Sequence, residues 1–226
     1  MSLHLAARLT QVLLALALIQ QSLEHLSVSP RNRPLFALRI ALCAAVAAGV
    51  FAPWPLVGLA LLSLVLLTRF QGPYNGGSDR MGLLALWCLT LSALVPSPRL
   101  KELFFGYLGL QLMLSYVVSG WVKIVNPDWR KGVALAQVFR FSAYPVAESL
   151  RGWAARPRLL LAMSWAVMAF ELAFPLTLLW RPALIAGLVV AASFHLANAC
   201  LFGLNRFFWT WLVAYPAILW LQARLV

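Results

Sequence analysis

The chain has 226 residues, 63% of them hydrophobic and 11% charged, with a mean hydropathy of +0.86 and a formal net charge of +12. Soluble domains are about half apolar and about a quarter charged, so a water-soluble fold could not hide this much apolar surface. Long Leu- and Ala-rich runs exclude the short alternating segments of a membrane barrel, and basic residues at the run ends suit anionic headgroups and not nucleic acid.

Backbone polar groups in lipid must be satisfied within their own segment, so each apolar run of roughly 20 residues predicts a spanning α-helix. The first predicted span, 6–26, is polar for its kind, with Gln11, Gln20, Gln21 and Glu24. It has no small-residue cleavage site and reads as a membrane helix, not a removed signal. Ser29-Pro30-Arg31 ends it. Spans 35–52 and 55–70 follow, divided by Pro53-Trp54-Pro55, and the shorter second run suggests two halves of one broken helix. The Gly-rich loop from Gln71 to Arg80 leads into span 81–96, with Ser78 or Asp79 expected as its cap. Span 103–125 starts after Pro96-Ser97-Pro98.

Residues 126–158 form the one long non-spanning stretch. Arg130, Lys131, Arg140, Arg151, Arg156 and Arg158 are interleaved there with Trp129, Phe139, Phe141 and Trp153, the pattern of a helix lying in the interface. Spans 159–180, 183–202 and 207–224 complete the chain, with Arg181-Pro182 between the first two. The expected fold is an all-α integral membrane bundle of seven or eight transmembrane helices with one interfacial amphipathic segment, residues 1–226 forming a single domain. Eight spans put 27–34, 70–80, 126–158 and 203–206 on one side, cytoplasmic by the positive-inside rule, with the N-terminus outside.

An ionisable side chain at mid-membrane costs about 2.5–3.5 kcal/mol on insertion scales, so polar groups inside spans are the informative ones. Gln111, Ser115, Ser119 and Lys123 share an arc with Tyr116 that is expected to face the bundle interior. Two readings are open to Lys123. Its ammonium snorkels to the headgroups, or it sits in a semi-dry cavity where desolvation favours the neutral amine and makes it a usable base. Asn126-Pro127-Asp128 reads as a turn or helix start, with Asp128 a cap or a partner for Arg130. Glu171, in mid-span with Ser164 on the same face, must pair or be protonated, and Lys123 and His195 are its natural partners. His195 and Asn198 share a face; they either glue helices together or carry protons and touch substrate. His4, His25 and His195 give no metal-ligand set, and no zinc, nucleophile-elbow or phosphate-loop motif occurs. Cys43, Cys88 and Cys200 are expected to be buried small hydrophobes.

The segment YVVSGWVKIVNPDWRKG, Tyr116 to Gly132, carries an aromatic, Ser119-Gly120, Lys123, Asp128-Trp129 and Gly132. In this it resembles the horizontally transferred transmembrane domain family, the membrane module shared with vitamin K-dependent γ-carboxylase. FHLANACLFGLNRFF, Phe194 to Phe208, resembles the family's late His-containing helix, and NGGSDR, Asn75 to Arg80, its loop before a middle helix. The resemblance implies a helical bundle around a cavity for a quinone-like or lipid-like ligand. In the carboxylase a base activates reduced vitamin K, whose oxygenation yields the strong base that removes a γ-proton from a peptide Glu. Lys123 and His195 are carried over as catalytic candidates, and Glu171, Asn198, Tyr116 and Trp129 as candidates for binding the quinone or lipid.

The chain leaves no room for the carboxylase's large soluble part. It is closer in size to small bacterial members associated with maturation of secreted peptides, which implies a bacterial inner membrane, lipid contact, and a partner protein or secreted peptide. Two functions stand against each other: a small membrane enzyme with Lys123 as base, or a non-catalytic subunit whose polar residues lock helices while the Arg-rich stretch docks a partner. A transporter is the third, weakened because no repeated pair of broken helices is visible.

Overall fold

The structure is a computed structural model and describes residues 1–69, 76–142 and 147–226. Among the described residues every regular element is helical. In chain order these are α1 (Leu3–Val28), α2 (Arg33–Ala48), α3 (Trp54–Arg69), α4 (Gly77–Leu94), α5 (Pro98–Val125), α6 (Pro127–Arg130), α7 (Val133–Phe141), α8 (Pro157–Ala173), α9 (Arg181–Phe202), α10 (Asn205–Val213) and α11 (Tyr215–Leu225). A 3-10 turn over Glu148–Ala155 precedes α8, and another over Phe174–Leu179 extends it.

Among the described residues four helices are long and apolar enough to cross a membrane: α1, α5, α8 with its 3-10 extension, and α9. Their outward faces carry large apolar side chains, including Leu5, Leu16 and Leu23 on α1, Val118, Trp121 and Val122 on α5, and Ile185, Val189 and Val190 on α9. Water would penalise such faces, whereas lipid tails are as apolar as they are. The protein is an integral membrane protein.

The remaining apolar runs are helical, and two of them, 35–52 and 207–224, form shorter helices than the sequence suggests. Run 35–52 contains α2, which stops at Ala48 because Gly49 adopts a left-handed φ of 75°. Run 55–70 contains α3, and both helices have 16 residues, or about 24 Å at the α-helical rise. Run 207–224 is divided into α10 and α11 around Ala214, next to Pro216, which cannot donate a backbone hydrogen bond. Hydropathy counts an apolar turn and an apolar helix alike, which is why runs 35–52 and 207–224 look longer than their helices.

The chain forms two compact units, one of Met1–Leu110 with Trp209–Leu225, the other of Gln111–Phe208 with Val226. In the first, the polar residues of α1 are used as ties. Arg8 donates to the carbonyls of Val46 and Ala47 at the C-terminal end of α2. Arg39 donates to Gln21 Oε1 at 2.6 Å, and Gln21 Nε2 donates to Asp79 Oδ1 at 2.6 Å, so one glutamine links α1, α2 and α4. Ser78 and Asp79 lie inside the first turn of α4 and Gly76 holds the cap position, which corrects the expected capping role. Residues Gln71 to Asn75 of the Gly-rich loop lie outside the described residues. Cys43 and Cys88 are buried as expected, but Cys200, in the second unit, is exposed on α9.

The second unit is built on the C-terminal half of α5 with α6 to α9. The described residues of the stretch expected at the interface form α6, α7 and the 148–155 turn. Leu135 and Phe139 of α7 are buried against Leu160 and Phe202, with Trp153 packed alongside. Phe139 stacks on Trp153 at a centroid distance of 5.6 Å and meets Phe202 edge-on at 4.9 Å. These contacts fasten the amphipathic segment to the ends of α8 and α9, while Arg130, Lys131, Arg140, Arg156 and Arg158 stay exposed.

Candidate functional site

Buried stripes at helical spacing bring the polar groups of the second unit together. On α8 the stripe is Leu160, Ser164, Met168 and Glu171; on α9 it is Leu184, Gly187, Leu188, Ala191 and His195. On α5, Leu112, Tyr116 and Gly120 are buried, with Ser119 and Lys123 half-buried beside them. Each helix thus presents an ionisable or hydroxyl group inward.

Lys123 Nζ donates to Glu171 Oε2 at 2.7 Å and to Oε1 at 2.8 Å. It also donates to Ser119 Oγ, and Ser119 Oγ donates to Glu171 Oε1 at 3.0 Å. The side chains are 15% exposed for Lys123 and 3% for Glu171, so this is a buried pair and not a snorkelling lysine. A backbone approach makes it possible. A Cβ on Gly120 would lie 2.9 Å from Leu172 Cγ and 3.0 Å from Glu171 Cβ, so α5 and α8 touch where the side chain is absent. The sequence marks Gly120 only as part of a motif, because a helix–helix contact leaves no spacing signal of its own.

The turn after α5 holds a third contact. Lys123 Nζ lies 5.4 Å from the centroid of the Trp129 ring, within cation–π range. Asn126, not Asp128, caps α6, its side chain accepting from the Asp128 N–H at 2.9 Å. Arg130 donates to the Ile124 carbonyl at 3.0 Å. Ser164 Oγ donates to the Trp129 carbonyl at 2.5 Å and Trp165 Nε1 to the Arg130 carbonyl at 3.1 Å. Gly132 has φ 74°, and a Cβ there would meet Leu161 backbone atoms at 2.9 Å, so glycine is required twice over. One helix, α8, therefore carries both the carboxylate that pairs Lys123 and the hydroxyl that holds the turn bearing Trp129.

Tyr116, on the same α5 face, shares a hydrogen bond of 3.1 Å between its hydroxyl and His195 Nε2. Phe174 lies 4.4 Å and Phe170 5.8 Å from the Tyr116 ring, and Phe194 5.2 Å from that of His195. Asn198 is half-buried near the end of α9, where its carbonyl accepts from the Leu204 N–H at 3.3 Å. Among the described residues no group of three or more His, Cys, Asp or Glu converges to hold a metal.

Fold and site together define a helical membrane protein with a buried lysine–glutamate pair beside a tyrosine–histidine pair. The HTTM domain matches residues 100–222, more than half of the chain. The chain belongs to the HTTM family, whose domain is that of vitamin K-dependent γ-carboxylase-like membrane proteins. The match takes in α5 to α10 and most of α11, and so every residue of both pairs. No curated protein and no solved structure matches the chain.

Proposed function

We propose that this protein is a small membrane enzyme of the carboxylase-like kind, acting on a quinone, a lipid or a partner-delivered peptide through proton transfer at Lys123. The observation that carries this reading is the bidentate Lys123–Glu171 contact, buried between α5 and α8 with Ser119 bridging it. Within a dry site a proton can pass from Nζ to the carboxylate, leaving a neutral amine and a neutral acid without any net change of charge. The amine then accepts the proton of an acidic substrate O–H. Tyr116 and His195 supply further donors and acceptors, and Phe170 and Phe174 aromatic walls, a set that suits a quinol ring; the quinol, when bound, supplies the acidic hydroxyl and the electrons. The proposal includes a single membrane domain over residues 1–226, with seven or eight crossings, in a bacterial inner membrane.

The test is quinol-dependent oxygen uptake by protein in lipid nanodiscs supplied with a reduced naphthoquinone. Wild-type protein is expected to consume oxygen, and Lys123→Met and His195→Ala to lose most of that activity while remaining folded. Wild-type uptake retained in Lys123→Met would sink the proposal.

One observation favours a second reading. All three N–H bonds of the Lys123 ammonium have acceptors in Glu171 Oε1, Glu171 Oε2 and Ser119 Oγ, as in a structural lock. On that reading the chain is a non-catalytic subunit that docks a partner protein, and the same variants lower assembly with a stoichiometric partner while no chemical step is lost.

A further inference from the structure

An open groove of about 610 Å³ runs between α6 and α7 and shares Trp129 with the Lys123 site. Its lining includes Asn126, Asp128, Trp129, Gln137, Val138 and Phe141. The groove is a consequence of how α7 is split. Leu135 and Phe139 turn inward to the aromatic cluster, while Gln137, Val138 and Phe141 remain exposed on the other side. Phe141 is 71% exposed, which makes the far wall an apolar surface uncovered by the described residues.

Three features narrow what can occupy it. First, α5 ends its span at Val125 and α8 begins its own at Pro157, so the groove opens in the headgroup region. Second, Asp128 is the one charged side chain among the described lining residues, although the surrounding stretch is rich in arginine. The uncharged polar wall is amide and hydroxyl, from Asn126, Gln137 and Ser142. Third, Lys131 stands exposed three residues beyond Asp128, at the end of α6 and outside the groove lining, where it can meet a headgroup that protrudes from the groove. A carboxylate repels a headgroup that carries only negative charge. It binds a primary ammonium by a charge-assisted hydrogen bond that a quaternary ammonium, having no N–H, cannot form.

We infer that the α6–α7 groove is a binding site for one aminophospholipid, its primary ammonium on Asp128, its phosphate toward Lys131 and its first acyl carbons along Trp129, Val138 and Phe141. The charges of a zwitterionic lipid match the carboxylate and the lysine in turn, and the apolar wall receives the chain. Trp129 is shared between this groove and the Lys123 site, since the indole that lines the groove also lies 5.4 Å from Nζ. A lipid seated there therefore contacts the same indole that meets Lys123. The inference does not depend on Lys123 being a base.

The experiment uses the full chain in nanodiscs doped with a diazirine-bearing phosphatidylethanolamine, with adducts mapped by mass spectrometry. Adducts are expected on residues 126–142, with unlabelled phosphatidylethanolamine competing about tenfold better than phosphatidylcholine or phosphatidylglycerol, the scale of one hydrogen bond to a charged group. Asp128→Asn should erase that preference, and Ala134→Trp, which fills the groove, should remove the adducts while the thermal melt stays in place. Equal competition by the three lipids, or a preference for phosphatidylglycerol carried by the arginines, would overturn the site. So would adducts spread evenly over α1 and α9, or a copurifying peptide that alone displaces the probe.

Discussion

Lys123 and Glu171 stabilise each other only as a pair. Removing the lysine leaves a carboxylate 3% exposed with its main cationic partner gone, and such single losses cost about 3–5 kcal/mol in buried pairs. Replacing both partners by apolar groups of similar size removes the desolvation penalty along with the attraction, and is often neutral. Lys123→Met is therefore expected to melt well below wild type in nanodiscs, and Lys123→Met with Glu171→Leu to recover to within about 1 kcal/mol. The double variant also separates lock from catalyst: restored stability with absent oxygen uptake belongs to chemistry, restored stability with restored partner binding to a lock. A double variant no more stable than the single one would show that the pair is not self-contained. At this scale the sequence was informative because lipid makes polar residues conspicuous. Lys123, Glu171, Tyr116 and His195 stand out in apolar runs, and the pairing of Glu171 with Lys123 could be anticipated. The Tyr116–His195 bond could not, because residues on two helices carry no common register until the helices are packed.

Helix α8 is held against α5 at Gly120 and against the α6 turn at Ser164 and Trp165, so local changes there act on the whole element. Gly120→Ala would gain about 1 kcal/mol of helix propensity but must push Leu172 and Glu171 aside, an overpacking cost of about 1–3 kcal/mol. Overpacking outweighs propensity, and a net loss of stability with a lengthened Lys123–Glu171 contact is expected, readable as a lower melting temperature. Gly152 has nothing within 4 Å of its would-be Cβ, so Gly152→Ala is the control and should leave the melt within about 0.5 kcal/mol. The turn that precedes α8 makes a separate prediction. Arg151 donates to Glu148 Oε2 at 2.5 Å and to the Arg140 carbonyl at 2.6 Å, tying the turn to the end of α7. The hydrogen bond from Arg151 holds the Glu148 carboxyl below its ordinary value of 4.5. A depressed carboxyl contributes fully above its unfolded value and loses that contribution as pH falls through the folded one. Hydrogen-exchange protection over 148–155, taken relative to the intrinsic exchange rate at each pH, should thus be constant from neutral pH down to the ordinary carboxylate range and fall only below it. Arg151→Ala should raise exchange in this turn at every pH, and at the end of α7 as well. The Arg and aromatic content of this stretch predicts an amphipathic helix, and α7 divides its apolar and polar residues accordingly. The start of α6 was legible in Asn126-Pro127-Asp128, but the break between α6 and α7 was not, because it depends on Gly132 meeting the backbone of Leu161.

At the scale of the whole molecule helix length sets the number of crossings. α1, α5, α8 with its extension, and α9 have the length to span; α2 and α3, at about 24 Å each, fall short of a hydrocarbon core of about 30 Å. Short helices still cross where the bilayer thins around them, at a cost of fractions of a kcal/mol per Å of mismatch. For a deficit of about 6 Å that cost is small beside the burial of a helix whose mean composition is this apolar. The connection between α1 and α2 and the one between α4 and α5 then lie on opposite sides, since three crossings separate them. If α2 and α3 instead dip in and return while α4 crosses, the two connections are again opposite, because an odd number of crossings remains. Only if α4 also stays on the surface, or if two of the three helices cross, do they share a side. Cysteine substitutions at Ser29 and Ser97, in a background with Cys200 replaced, report this directly through a membrane-impermeant thiol reagent applied to intact and inverted vesicles. Ser29→Cys and Ser149→Cys are expected to label from the same face, the one bearing the arginines, and Ser97→Cys from the other. Labelling of Ser29→Cys and Ser97→Cys from one face would reduce the crossings among α2 to α4 to an even number and remove the eight-span arrangement.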